Sequence, residues 1–157
     1  MEEPSWLEKV RGYLDLGMID EAAREIEKLP ATRRGTEEAQ EMRIIVQLDR
    51  GDLASAFALC ETLCDLAQDN HAGFIQGAYC LHEMERTEEA IEHLQSGPQT
   101  LRDEPLYFYN LGCYELAMGR DQAAVTWLEQ SFQMDPIHRK KALSDPDLKS
   151  VRHLFSE

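Results

Sequence analysis

Apolar residues recur along the chain in short series, with the three- and four-residue spacing that marks one face of a helix. In the stretch from Tyr107 to Pro136, the first series is Phe108, Leu111, Gly112 and Leu116, and the second is Ala124, Trp127, Leu128 and Phe132. Gly-Arg-Asp at 119–121 separates the two series. Glycine readily takes the left-handed conformation that ends a helix, and Asp121 is suited to cap the next helix. The pattern therefore predicts two antiparallel helices joined by a tight turn.

The same pattern occurs four times, at a period of 34 residues. One alanine position is kept in every copy: Ala22, Ala56, Ala90 and Ala124. The turn position carries glycine in three copies and an acid in the third: Gly17, Gly51, Glu85 and Gly119. A small side chain at the alanine position lets the two helices of a copy cross closely, and a larger one would overpack the crossing. The predicted copies are 3–36, 37–70, 71–104 and 105–138, each one a helix pair.

The second copy departs most from the pattern. Gln40 stands where the fourth copy has Phe108, and Arg43 stands where it has Leu111. Ile44 occupies the position that is small elsewhere. The match is therefore weakest in this copy.

Local signals set the predicted helix ends. The tetrapeptide TEEA occurs at 36–39 and at 87–90, and both occurrences are expected to begin a helix capped by Thr36 or Thr87. The second helix of copy one is expected to end early, at Pro30 and the residues at 33–36. The second helix of copy three is expected to end early at the Gly-Pro pair within 96–99.

The period is 34 residues, and the fourth copy has a large apolar residue, a small residue four places on, an alanine twelve places further and a terminal proline. Over roughly residues 3–138 this pattern resembles the tetratricopeptide repeat family. The resemblance implies an all-α fold, a right-handed α-solenoid of antiparallel helix pairs. In this family the first helix of each pair lines the concave face, where a protein or peptide segment binds. We therefore expect a protein–protein interaction module with a binding groove.

The resemblance places a set of residues on the predicted groove. In copies one and two they are Leu7, Arg11, Leu14, Glu41, Met42, Ile45 and Asp49. In copies three and four they are Ile75, Gln76, Tyr79, His82, Glu83, Tyr109, Asn110, Cys113 and Leu116. The set mixes apolar and aromatic side chains with several acids, which suits a segment with apolar anchors and basic flanks. A C-terminal helix that covers Tyr109, Cys113 and Leu116 is the alternative for the fourth copy.

Two specialised readings follow from the same family. Members that bind Hsp70 or Hsp90 tails hold a terminal carboxylate with a cationic clamp, and the corresponding positions here, which include Leu7, Met42 and Gln76, do not form one. Acidic tetratricopeptide chaperones of type III secretion translocators have a similar size and charge. A dedicated chaperone for a secreted apolar client therefore stays open beside the general adaptor.

The charge of the chain narrows the partner class. The formal net charge is −14 over 157 residues. Such a field repels nucleic-acid phosphates and anionic lipid, so neither is an expected partner. The N-terminus lacks the apolar core of a signal peptide, and no run of about eighteen apolar residues occurs. We expect a cytoplasmic protein with four reduced cysteines, and the sequence does not indicate an oligomeric state.

Catalytic and metal-binding patterns are not found in the sequence. The glycines are scattered at turns and packing positions rather than grouped in a phosphate-binding loop. Cys60 and Cys64 lack the matching Cys or His pair of a zinc site. We expect no cofactor, no metal and no enzymatic activity.

After Pro136 the chain becomes basic, and residues 139–157 are expected to close the array. Asp145 and Pro146 have the pattern of a helix start, and Leu148, Val151 and Phe155 then predict a short amphipathic helix. The end of a solenoid needs a cap with a polar outer face. A docking tail is the alternative.

Overall fold

The computed structural model describes residues 5–155. Residues 3 and 4 of the first predicted copy, and 156 and 157 of the predicted cap, lie outside this range. Within it the regular structure is helical. The α-helices are α1 Trp6–Asp15, α2 Ile19–Glu27, α3 Ala31–Arg34, α4 Glu37–Asp49, α5 Leu53–Leu66, α6 Ala72–Glu83, α7 Thr87–Gln95, α8 Pro105–Ala117, α9 Asp121–Met134 and α10 Pro136–Ser144. Short 3-10 helices span Gln99–Asp103, Pro146–Leu148 and Arg152–Leu154.

The turn between the two helices of each pair has the same backbone structure four times. Its central residue has a positive φ: 73° at Gly17, 76° at Gly51, 63° at Glu85 and 77° at Gly119. The next residue donates its N–H to a carbonyl five residues back: Met18 to Tyr13, Asp52 to Gln47, Arg86 to Leu81 and Arg120 to Glu115. This is the Schellman motif that closes a helix at a left-handed residue. The predicted 34-residue period is therefore present in the backbone.

The helix starts agree with the sequence at some caps and correct it at others. The Thr36 hydroxyl accepts a hydrogen bond from the Ala39 N–H and caps α4 as predicted. Thr87 and Asp121 do not cap, because each is the first helical residue of α7 or α9. In each pair the residue that follows the left-handed position is the N-cap of the second helix. Among these four N-cap residues, Asp52 alone has a side chain that accepts a backbone hydrogen bond, from the Ser55 N–H.

The described residues fall into two compact units, whose boundary in the chain lies between Cys80 and Leu81. Unit 1 (residues 5–80) contains α1 to α5 and most of α6. One of its apolar clusters joins the first two helix pairs through Val10, Ala22, Ile26, Met42 and Val46. A second contains Ile44, Cys60 and Leu63. As predicted, α2 ends early, and α3 follows it before Gly35.

Unit 2 (residues 81–155) contains α7 to α10 and the segment that follows them. Its core joins α8 and α9 to α10 and to that segment through Tyr109, Val125, Leu128, Phe132, Ala142, Leu148, Val151 and Phe155. At the crossing of α8 and α9, a Cβ on Gly112 would lie 2.6 Å from Leu128 Cγ. The four alanines of the repeated position, Ala22, Ala56, Ala90 and Ala124, are fully buried in their units.

The C-terminal segment, which comprises α10 and the residues that follow it up to 155, differs in form from the prediction. A helix forms earlier than expected, at Pro136, with the Asp135 carboxylate accepting from the Ile137 N–H. Asp145 is extended at ψ 116°, as expected of a residue before proline, and this conformation ends α10. The remainder forms two 3-10 turns instead of one amphipathic α-helix. Leu148, Val151 and Phe155 are nevertheless buried, as the pattern indicated.

Candidate peptide-binding surface

The predicted groove residues of unit 1 lie on the first helices α1, α4 and α6. Leu7, Leu14 and Ile45 are half-buried and pack on the cluster that contains Val10 and Met42. Each of the three therefore has one side in the core and one side in contact with solvent. Apolar side chains of this kind form the floor of many protein interfaces, since they are already fixed by packing.

Charged residues accompany these apolar side chains on the same helices. Arg11 and Asp49 are exposed. Glu41 is held in place, because Asn70 Nδ2 donates to its Oε1 at 2.7 Å and also to Glu37 Oε2 at 2.9 Å. Asn70 thus keeps two carboxylates four residues apart on α4. Asn70 is not among the predicted site residues, and the sequence marks it by no more than its position at the end of the second copy.

On α6 the predicted contact residues are in part accessible. Ile75 and Gln76 are half-buried, and Tyr79 is 42% exposed. Glu83, the last residue of α6, is exposed. Tyr79 is the most accessible aromatic side chain of the predicted set. Tyrosine is enriched at interfaces because its rigid ring buries area at little cost in entropy.

His82 belongs to unit 2, where it interacts with neighbouring side chains. Its Nδ1 lies 3.0 Å from the Thr87 hydroxyl, and its ring lies 4.8 Å from the Tyr114 ring. The residue is half-buried. These contacts orient the ring and leave it on the border of an open cleft with Glu85, Glu88 and Met118.

Met42 and Tyr109 require correction, because the structure buries both. Met42 is part of the unit 1 core. Tyr109 is 2% exposed, since the C-terminal segment lies over it. Its hydroxyl donates to Asp145 Oδ2 at 2.7 Å, and Lys141 Nζ lies 4.7 Å from the ring centroid. Burial, with the hydrogen bond to Asp145, raises the pKa of the Tyr109 hydroxyl.

The same segment covers the neighbouring residues of α8. Cys113 and Leu116 pack against the cluster that contains Leu148 and Val151. Burial raises the pKa of the Cys113 thiol to about 12. Asn110 is half-buried. The first-helix face of α8 is therefore occupied in large part by the chain's own C-terminal segment, the alternative that the sequence left open.

The comparisons with known proteins agree with this architecture. The family model for the tetratricopeptide repeat matches residues 106–138. PilF of Pseudomonas aeruginosa is 20% identical at a TM-score of 0.80, and the match covers 95% of this chain and 67% of PilF. The chain has the tetratricopeptide-repeat fold.

Two further solved structures resemble this chain. MamA is 16% identical at a TM-score of 0.73, with 92% of this chain and 86% of MamA covered. YrrB is described as a tetratricopeptide repeat protein with an unusual peptide-binding site, and is 20% identical at a TM-score of 0.69, with 87% and 73% covered. No curated protein matches the sequence significantly. At sequence identities this low, the structural matches establish the fold alone.

Membrane-spanning helices and metal-ligand clusters are both absent from residues 5–155. None of the helices there combines the length and apolar character needed to cross a membrane. In the same range, no group of three or more His, Cys, Asp or Glu side chains is placed to hold a metal ion.

Proposed function

We propose that this tetratricopeptide-repeat protein is a non-enzymatic, cytoplasmic interaction module that binds a protein or peptide segment. The binding surface is the first-helix face of unit 1. The observation that carries the proposal is the half-exposed apolar series on α1, α4 and α6, which includes Leu7, Ile45 and Ile75. Packing already fixes these side chains, so a partner that covers them gains apolar burial without a large entropic cost.

The charges beside this series indicate the kind of segment that fits. Arg11, Glu41 and Asp49 flank the apolar side chains, and Asn70 holds the Glu41 carboxylate in one position. A segment with apolar anchors and at least one basic residue pairs with the acids and covers the floor. The peptide-binding site attributed to YrrB supports the same class of function for this fold.

The covered first-helix face of unit 2 favours unit 1 as the unit that binds the partner. The corresponding face of α8 is covered, since Tyr109 is buried and Cys113 and Leu116 pack against the C-terminal segment. A partner would have to displace that segment before it reached α8. The open face on α1, α4 and α6 carries no such requirement.

Pull-down from the native host with two variants tests the proposal. Ile45→Glu places a charge within the apolar series, and Tyr79→Ala removes the exposed ring. We expect each variant to weaken retention of the partner at least about tenfold, as at central interface residues. Leu16→Glu is the matched control, because Leu16 is 74% exposed and lies at a turn outside the surface. Variants that keep every partner at the level of the control would refute the surface.

The dedicated-chaperone alternative predicts a different result. A chaperone for an apolar client would capture one product encoded beside it, and that client would become insoluble when expressed alone. A general adaptor would capture a protein that is soluble without it. Expression of the captured partner with and without this chain therefore distinguishes the two.

A further inference from the structure

The second helix pair carries polar side chains at two positions where the fourth pair carries packing residues. Leu111 is fully buried, and Phe108 stacks on Trp127 with ring centroids 5.7 Å apart. Gln40 and Arg43 take these positions on α4. Polar groups at packing positions cost stability, and they are retained mainly where they serve a function.

Two neighbouring clefts open where these polar residues replace apolar ones. The first has a volume of about 300 Å³, lies between α2 and α4, and has a floor that includes Ala23, Ile26 and Val46. Arg24, Arg43 and Arg50 line its sides together with the carboxylates of Asp20 and Glu27. The second, of about 290 Å³, is bounded by Arg34, Gln40 and Arg43. Arg43 borders both clefts.

The arginines of these clefts differ in whether they already have a carboxylate partner. Arg50 pairs with Asp20 at 2.9 Å, Arg34 with Glu27 at 3.0 Å and Arg24 with Glu21 at 3.1 Å. No residue between 5 and 155 pairs with the Arg43 guanidinium, although acids outnumber bases by 30 to 16 in the chain. Arg43 is half-buried as a residue, and an unpaired guanidinium favours a planar anion such as a carboxylate.

Gln40 supplies a second observation. Its Nε2 donates to the Arg34 carbonyl at 3.2 Å, which fixes the orientation of the amide. Its Oε1 is then buried without a donor, and Arg34 Nε is buried without an acceptor among the described residues. Gln40 is 6% exposed. A peptide bond carries one carbonyl and one N–H, the two groups that these atoms lack.

We propose that the two clefts form a second binding site, which takes an acidic peptide segment. A carboxylate of the segment pairs with Arg43, a neighbouring apolar side chain rests on Ala23, Ile26 and Val46, and the main chain meets Gln40 and Arg34. The site is separate from the surface of the proposed function. Helical spacing places Arg43, Val46 and Arg50 on a different side of α4 from Glu41, Ile45 and Asp49.

Fluorescence anisotropy with defined peptides tests this site. The probe is a labelled peptide of about 12 residues with a Glu-Leu-Glu core between Gly-Ser spacers and an amidated C-terminus, long enough to span both clefts. We expect saturable binding that weakens with added salt. The peptide with Gln-Leu-Gln in the core should bind at least about tenfold more weakly. A Gln-Leu-Gln peptide with a free C-terminus separates a chain-terminal carboxylate from a side-chain one as the anion.

Three variants locate the binding. Arg43→Gln should weaken binding at least about tenfold, whereas Arg33→Gln, the same charge change on the exposed side of α3, should have an effect of less than about twofold. Arg43→Leu restores the residue found at Leu111, so it should abolish binding while the fold is kept or stabilised.

The proposal is overturned by any of three results. One is equal binding of the glutamate and glutamine peptides with amidated ends, when the free-ended glutamine peptide binds no better. Another is an Arg43→Gln variant that behaves like Arg33→Gln. The last is no saturable binding of any of these peptides up to about 1 mM, the range of weak specific interactions.

Discussion

Glu85 occupies a left-handed turn position that carries glycine in the other three pairs. Its φ is 63°, in the region where the other three turns have Gly17, Gly51 and Gly119. A side chain costs about 1–2 kcal/mol in this conformation, because Cβ approaches the following carbonyl. We predict that Glu85→Gly raises the free energy of unfolding by about 1 kcal/mol, measured by urea denaturation.

A matched substitution separates this effect from the loss of an acid. Glu92 is exposed within α7, and Glu92→Gly removes the same charge from an ordinary helical position. It should destabilise the protein by about 1 kcal/mol. A decrease in stability for both variants would contradict the assignment of backbone strain to Glu85.

Gly112 shows the opposite constraint, a close approach between helices. A Cβ there would lie 2.6 Å from Leu128 Cγ and 3.1 Å from the Ala124 carbonyl oxygen. Gly112→Ala should therefore destabilise unit 2 by about 1–3 kcal/mol through overpacking, despite the better helix propensity of alanine. Gly12→Ala in α1 is the control, because no atom lies within 4 Å of its Cβ position. That variant should be stabilised, and equal thermal shifts for the two would refute the crossing.

Which residues the sequence could place depends on how local the constraint is. The turn glycines and the buried alanines were predictable, since a positive φ and a close helix crossing each restrict residue type directly. Tyr109 was not, because its burial is decided by a segment some 36 residues further on, through the bond to Asp145. Met42 shares its helix with exposed positions, and only the contact with α1 and α2 decides that it faces inward.

At the level of elements, the buried residues of the C-terminal segment were predicted correctly, whereas its secondary structure was not. The three- and four-residue spacing of Leu148, Val151 and Phe155 indicated one buried side, and all three are buried. Proline at 136 and at 146 then set where the helix begins and where it ends, which the apolar pattern does not record. The same holds for the caps of α7 and α9, where the Schellman turn moves the cap one residue earlier than Thr87 or Asp121.

Cys113 reports whether this segment covers α8. Burial raises the pKa of its thiol to about 12, so little of the reactive thiolate is present at pH 8. Leu148→Ala removes a fully buried side chain from the segment and should loosen it. As burial is lost, the pKa of Cys113 falls toward its ordinary 8.5, and alkylation by iodoacetamide at pH 8 should accelerate at least about tenfold.

Cys64 provides an internal control for that measurement. It lies in unit 1, and burial raises the pKa of its thiol to about 11. Mass spectrometry of the separate peptides should show faster alkylation of Cys113 alone in the Leu148→Ala protein. Equal acceleration at both cysteines would indicate general unfolding, and an unchanged Cys113 would show that the segment does not protect it.

The whole chain has an excess of acidic residues, with 30 Asp and Glu against 16 Lys and Arg. Exposed pairs such as Arg24 with Glu21 and Arg86 with Glu89 neutralise part of this excess. Such exposed pairs contribute little to the stability of the fold, and salt weakens them further. The net charge of −14 destabilises the compact state through repulsion. Repulsion among the unpaired acids should therefore dominate the salt response.

We predict that the melting temperature rises by about 2–4 °C as sodium chloride increases from about 0.02 M to about 0.5 M, because screening shortens the range of the repulsion. Most of the rise should occur below about 0.2 M, where the Debye length is still comparable with the spacing of surface charges. Sucrose at matched osmolality is the control, since it stabilises without screening and shows no such early saturation. A melting temperature that falls with salt would mean that the ion pairs outweigh the repulsion, and that the acidic balance is already compensated within the fold.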